Sequence, residues 1–363
     1  MTTKIAVIGL GTIAVEHLGA YQKNDQAEVV AVCDVDVERA KARAAQFDVP
    51  WATGSVEELL ADPNIDAVSV CVPNTLHAPI AEAALRAGKN VLVEKPMTVT
   101  VADAESLVKA VEETGKALQV GYVRRFAPNA LVTKRFLDEG EFGDIYAARA
   151  TLLRTAGNPG GWFGDVAISG GGPLIDLGVH IIDLCWYLMG MPKAVSASGV
   201  TFAPLGARDN IQHLSRYRAA SETRANTVED YATAQIRFDN GAVLDVDTSY
   251  SLHARNEISV RIHGDKGGAE IEPELLMVTE RHDTLLHVQP QIDSLGFDFK
   301  VGFANQIDHF LRICRGEIPA DATAEQGLEM ARILSAIYES AQSGAEVRIA
   351  KCTARMSAPY WSR

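Results

Sequence analysis

Lys4-Ile5-Ala6-Val7-Ile8-Gly9-Leu10-Gly11-Thr12-Ile13-Ala14 is the stretch that decides the fold class. Residues 4–9 form an apolar, β-forming run and an amphipathic helical stretch follows, so the glycines stand at a strand-to-helix turn. In that context Gly9-Leu10-Gly11-Thr12-Ile13-Ala14 matches the GxGxxG/A pattern of dinucleotide-binding loops. Gly9 permits the tight turn, Gly11 lets the backbone approach a pyrophosphate, and Ala14 is small enough for helix and strand to pack. The N–H groups that open the helix, including those of Thr12 and Ile13, then point at the anion with the positive end of the helix dipole. Asp34 ends the next strand, 23 positions beyond Gly11. A carboxylate there accepts hydrogen bonds from the adenosine ribose and repels a 2′-phosphate, so NAD is expected rather than NADP. Val35 and Asp36 add no cation to bind that phosphate, and Arg39 one turn later is the one residue that speaks for it.

Around this motif, apolar runs at 4–9, 28–33, 67–72, 90–93 and 117–121 alternate with helical stretches, the pattern of a parallel sheet covered by helices. After Asp144 the period changes to two, at 145–153, 194–201, 231–238, 242–250 and 258–263, with a hairpin turn at Asp239-Asn240-Gly241. The second half is therefore expected to hold a large, mostly antiparallel open sheet, with helices at 173–189, 305–315 and 324–343. Its exposed face is a candidate surface for a homodimer or homotetramer. With 363 residues the chain exceeds the usual size of a single core, and three parts are expected. These are a dinucleotide-binding domain at 1–122, a catalytic α+β domain at 123–349 whose last helices pack back on the first domain, and a tail at 350–363. The polar segment 205–226 reads as a lid or a surface insertion.

Composition excludes several function classes. The chain is 47% hydrophobic and 22% charged, as in ordinary globular proteins, and its net charge of −13 argues against nucleic acid or an anionic membrane as partner. It lacks a run of about 18 uncharged apolar residues, and its start does not resemble a signal peptide, so a cytosolic protein is expected. Cys33, Cys71, Cys185, Cys314 and Cys352 are scattered without a CxxC pair and read as buried thiols.

Two further motifs carry chemistry. Glu94-Lys95-Pro96 follows the fourth apolar run, at the edge where doubly wound sheets bind ligands, and a cis Lys–Pro bond would fix the direction of the lysine. Gly170-Gly171-Gly172-Pro173-Leu174-Ile175-Asp176-Leu177-Gly178-Val179-His180-Ile181-Ile182-Asp183 opens a helix whose Asp176, His180 and Asp183, at i, i+4 and i+7, fall on one face. A metal site on Asp176 and His180 is the weaker reading of that helix, because a catalytic zinc takes three protein ligands.

These motifs, with Val72-Pro73-Asn74 and His77, Gly121-Tyr122-Val123-Arg124-Arg125-Phe126, and Gly140-Glu141-Phe142-Gly143, together resemble the glucose-fructose oxidoreductase and inositol dehydrogenase (Gfo/Idh/MocA) family. The resemblance implies a Rossmann domain and an NAD-dependent dehydrogenase acting on a secondary alcohol of a sugar, cyclitol or sugar derivative. It implies Lys95, Asp176 and His180 as catalytic residues, and Pro73, Asn74, His77, Glu94 and Lys95 as neighbours of the cofactor. Tyr122, Arg124 or Arg125, and Trp162 would border the substrate. His180 would be the base, Lys95 would hydrogen-bond the same hydroxyl, and Asp176 would orient them or a vicinal hydroxyl. Two other readings stay open: a relative that uses transient oxidation to drive elimination or hydrolysis, and an NAD-binding regulatory protein without turnover.

Overall fold

The structure, a computed structural model, describes residues 2–206, 208, 210, 211, 213 and 226–349. Much of the 205–226 segment and all of the 350–363 tail therefore lie outside the described residues. The chain divides into two compact units, Met1–Tyr122 with Phe303–Ala331, and Val123–Gly302 with Arg332–Arg363.

In the first unit, β1 (Thr3–Ile8), α1 (Thr12–Gln22), β2 (Ala27–Cys33), α2 (Val37–Gln46), β3 (Trp51–Thr53), α3 (Val56–Ala61), β4 (Ala67–Val70), α4 (His77–Arg86), β5 (Asn90–Glu94), α5 (Val101–Thr114) and β6 (Leu118–Gly121) follow in order. The six strands are parallel and lie in the order β3-β2-β1-β4-β5-β6. Every residue of β4 and β6 is buried, as a parallel sheet covered on both faces requires. The strand order reverses between β1 and β4, and ligands of such sheets sit beyond the carboxyl ends at that point. The expected strands are all present. The structure adds β3, whose three residues are too short to show a period.

The second unit carries α6 (Pro128–Asp138), β7 (Ile145–Leu153), α7 (Val166–Ser169), a π-helical turn at Leu174–Gly178, and α8 (Val179–Leu188). Its strands continue with β8 (Ala194–Phe202), β9 (Tyr231–Phe238), β10 (Val243–Ser249), β11 (Glu257–Gly264), β12 (Gly267–Glu272), β13 (Leu276–Arg281) and β14 (Thr284–Val288). After the helices α9 (Phe299–Cys314) and α10 (Ala324–Ser343), β15 (Val347–Arg348) completes a nine-stranded sheet, ordered β14-β13-β12-β11-β7-β10-β9-β8-β15. All its pairings are antiparallel except β7 with β10. Along β9 and β10 buried residues alternate with more exposed ones, so one face is packed and the other is open. Val166–Leu188 is long and apolar enough to cross a bilayer by length and composition, but 83% of that stretch is buried inside the protein, which marks it as a core helix.

Candidate active site

The cofactor loop is shaped by its two glycines. Gly9 has φ of +84°, and a Cβ there would stand 2.6 Å from the Cys71 carbonyl oxygen, so no other residue fits. A Cβ on Gly11 would meet nothing within 4 Å, and no side chain among the described residues caps α1 at that position. The space beside Gly11 is thus open at the start of α1, where the N–H groups of the first turn, those of Thr12 and Ile13 among them, suit a pyrophosphate. Asp34 is held at the rim of the same loop: its Oδ2 accepts from Leu10 N at 2.8 Å and its Oδ1 from Asp36 N at 2.9 Å. Arg39 is engaged by carboxylates on both sides, 3.3 Å from Asp34 Oδ2 and 3.1 Å from Asp36 Oδ2.

At the carboxyl end of β5 the Lys95–Pro96 bond is cis, and the Lys95 side chain is half-buried. Glu94 and His77, expected as neighbours of the cofactor, hold the turn around that lysine. Glu94 is buried; its Oε1 lies 2.8 Å from His17 Nε2, and its Oε2 accepts from Lys95 N at 3.2 Å. His77 is 1% exposed, with Nδ1 2.7 Å from the Pro96 carbonyl oxygen and Nε2 2.8 Å from that of Val72. Both of its ring nitrogens therefore face backbone of the protein itself, and burial holds its pKa below the usual histidine value. Pro73 is half-buried and Asn74 is buried in the short turn Asn74–Leu76.

In the second unit, the glycine run 170–172 feeds the helix that carries Asp176 and His180. Glu229 grips its start, accepting from Gly172 N at 2.9 Å, Leu174 N at 3.1 Å and Tyr338 OH at 2.9 Å. Burial raises the pKa of that carboxyl and these donors oppose the rise. The first turn is a π-helix, a geometry frequent at functional sites. Among the described residues of the run 171–189, Asp176 and His180 alone keep solvent exposure, and all the others are buried. Tyr250 sits beside them; burial first and the nearby Asp176 charge second push its hydroxyl pKa well above the usual value, so it stays protonated.

Asp183 does not share that open face. Three residues past His180 it falls about 60° short of a full turn, is 1% exposed, and takes both Arg125 Nε at 2.9 Å and Nη2 at 2.6 Å. Arg125 is fully buried in this pair, so it does not border a substrate. Arg124 keeps 12% of its side chain exposed, pairs with Glu272 at 2.7 Å, and lies 4.2 Å over the Phe297 ring. Tyr122 is 1% exposed. Trp162 is half-buried in the turn Gly161–Gly164 and stacks on Phe163 at 3.8 Å. Among the described residues no three metal-ligating side chains cluster.

Residues 3–122 match the family model described as "Oxidoreductase family, NAD-binding Rossmann fold", and residues 131–270 match the model "GFO/IDH/MocA C-terminal domain". The chain belongs to the Gfo/Idh/MocA oxidoreductase family. Within it, the D-glucoside 3-dehydrogenase of Escherichia coli (strain K12) is 30% identical over 95% of this chain and 97% of its own length. The NAD(+) scyllo-inositol 2-dehydrogenase of Bacillus subtilis (strain 168) is 30% identical over 90% of this chain and 91% of its own. A solved structure of levoglucosan dehydrogenase in complex with NADH and levoglucosan is 25% identical, with a TM-score of 0.83 over 96% of this chain and 100% of that one.

In this Gfo/Idh/MocA chain the residue that sequence reasoning overlooked is His17. It lies in the buried stripe Ala14, His17, Leu18, Tyr21 of α1, and a polar side chain at that spacing is the signal that would have flagged it.

Proposed function

We propose that the chain is an NAD-dependent dehydrogenase that moves a hydride between nicotinamide and a secondary alcohol carbon of a sugar, cyclitol or sugar derivative. The observation that carries this reading is the selective exposure of Asp176 and His180 on an otherwise buried helix. A core helix has no packing reason to open at two polar positions one turn apart, whereas a site that handles a hydroxyl proton does. Bound NAD supplies the hydride acceptor. His180 takes the hydroxyl proton, the Lys95 ammonium stabilises the oxygen as charge develops on it, and Asp176 orients His180 or a neighbouring hydroxyl. Pro73, Asn74, Glu94 and His77 shape the cofactor side, Arg124 and Trp162 the substrate side, while Tyr122, 1% exposed and buried like Arg125, does not border the substrate. The names of the relatives support the substrate class. The test is a screen of inositols, aldoses, anhydrosugars and sugar acids with NAD, read by absorbance of the reduced cofactor. NADH should form in excess over enzyme; at most one equivalent with every compound would place the redox step inside another reaction.

Asp34 supports NAD over NADP, since two backbone N–H groups fix its carboxylate at the loop and Arg39 is already engaged. Removing the charged acceptor from a ribose hydroxyl costs about 1.5–3 kcal/mol, roughly 10- to 100-fold in affinity. Asp34→Ala should therefore weaken NAD binding by that factor and release Arg39 toward a 2′-phosphate. An unchanged NAD-to-NADP ratio in binding titrations would remove Asp34 from the ribose.

The open face of the nine-stranded sheet supports a homodimer or homotetramer. It presents opposed charges on adjacent strands, Arg149 with Asp245 and Arg261 with Glu270, beside the exposed Val200 and Phe202. A two-fold axis can pair such a face with itself. Sedimentation at micromolar concentration should show a dimer or tetramer, and a monomer would contradict this.

A further inference from the structure

His17, Tyr21 and Ser69 are buried polar residues of the first unit to which the proposed reaction assigns no role. They form one hydrogen-bonded chain. Tyr21 OH and Ser69 Oγ are 2.7 Å apart, Ser69 Oγ lies 3.3 Å from His17 Nδ1, and His17 Nε2 lies 2.8 Å from Glu94 Oε1. Glu94 then takes the Lys95 backbone N–H on its other oxygen. The surroundings leave this chain no slack: the Phe303 ring meets the His17 ring edge-on at 5.3 Å, and a Cβ on Gly121 would stand 3.0 Å from Glu94 Oε1. On the other side of the turn, His77 reaches the Pro96 carbonyl.

The two ends of this chain matter. α1 begins at the loop with room for the pyrophosphate, and Glu94 leads directly into Lys95. We propose that His17 is a positioning residue, tying the cofactor-binding helix to Glu94 and thereby fixing Lys95 in place and in charge relative to the bound dinucleotide. This rests on Lys95 acting as the proposed function has it. Glu94 is faced by His17, Lys95 and His77, and His17 by Cys71 and Glu94. Burial alone would push the His17 ring toward neutrality, but the Glu94 carboxylate 2.8 Å away favours the charged ring and its pKa is raised. An imidazolium there balances the Glu94 carboxylate, so Lys95 faces a compensated pair instead of a bare negative charge.

The test compares His17→Gln, which keeps an N–H donor near the position of Nε2 without the charge, with His17→Ala, which keeps neither. In His17→Gln, kcat on the substrate found by the screen should fall roughly 10-fold or more, with KM and the Kd for NAD within about threefold. The pH–rate profile should shift relative to wild type, because the Glu94 charge beside Lys95 is no longer balanced. His17→Ala should lose more activity, the glutamine recovering part of it. A readout independent of turnover is thermal unfolding. The folded pKa is raised, so the stabilisation by the imidazolium is complete below the unfolded histidine value of about 6.5. It is lost as pH rises through about 10, and His17→Gln should lack that loss. If His17→Gln does not fold, the neutral pair His17→Gln/Glu94→Gln, which buries no lone charge, should fold and should also lack it. Wild-type kcat and pH profile in a folded His17→Gln, or the same alkaline loss in the neutral pair, would overturn the proposal. Lys95→Ala separates the two claims: if it stays active, the role of Lys95 is wrong. If it is inactive while His17→Gln behaves as wild type, the positioning role of His17 alone is wrong.

Discussion

Lys95→Ala is expected to lower turnover on the sugar substrate by roughly 10²–10⁴-fold, and His180→Ala by a similar factor, with NAD still bound. Neither side chain belongs to the cofactor loop formed by Gly9, Gly11 and Asp34, so a binding titration with NAD should change by no more than a few-fold in either variant. On the proposed roles the loss should appear in kcat and in kcat/KM equally, because both groups would then act on charge that is present only as the hydroxyl proton leaves. If both act on one oxygen as proposed, the double variant should be little worse than either single one, since residues acting as a unit do not contribute additively. Near-wild-type turnover in either single variant, measured by NADH formation, would remove that residue from the reaction.

The second large effect is on stability. Asp183→Ala is expected to destabilise the second unit by about 3–5 kcal/mol, because it removes a carboxylate paired at 2.6 Å with a fully buried guanidinium. Arg125 also lies 4.7 Å over the Tyr187 ring, a cation–π contact weaker than a buried carboxylate pair. For a unit of this size the shift in unfolding temperature is roughly 10 °C. Asp176→Ala provides the contrast. Asp176 keeps solvent exposure and shares a hydrogen bond with the buried Tyr250 hydroxyl, so its loss should cost clearly less stability than that of Asp183 while removing most turnover. Two aspartates on one helix would thus separate into one that holds the fold and one that serves the reaction. Equal melting temperatures for the Asp183→Ala protein and the wild type would contradict the structural role.

How much of this was legible in the sequence follows from how local each feature is. The cofactor loop could be read because a glycine turn needs nothing beyond its own residues, and the strand runs of both sheets because alternation and apolar runs are local. β3 escaped since three residues carry no period, and β12, β13, β14 and the two-residue β15 toward the edges of the second sheet escaped too. The helical spacing of Asp176, His180 and Asp183 suggested one face, but the wide π turn and the 60° offset of Asp183 turn the third residue inward. Partners far along the chain were invisible: Arg125 meets Asp183 across 58 positions, Arg124 meets Glu272 across 148, and His17 meets Glu94 across 77. A single sequence shows that such side chains are polar, and tertiary packing decides whether they face a ligand or each other.

A crystal structure with NADH and the sugar identified by the screen examines the core of the account at atomic distance. Lys95 Nζ and a His180 ring nitrogen should both lie within about 3.2 Å of one sugar hydroxyl, and the carbon bearing it should sit roughly 3–3.5 Å from the reactive nicotinamide carbon. If either side chain instead reaches a different part of the sugar or points away into water, the two residues do not share a hydroxyl and the redox proposal fails.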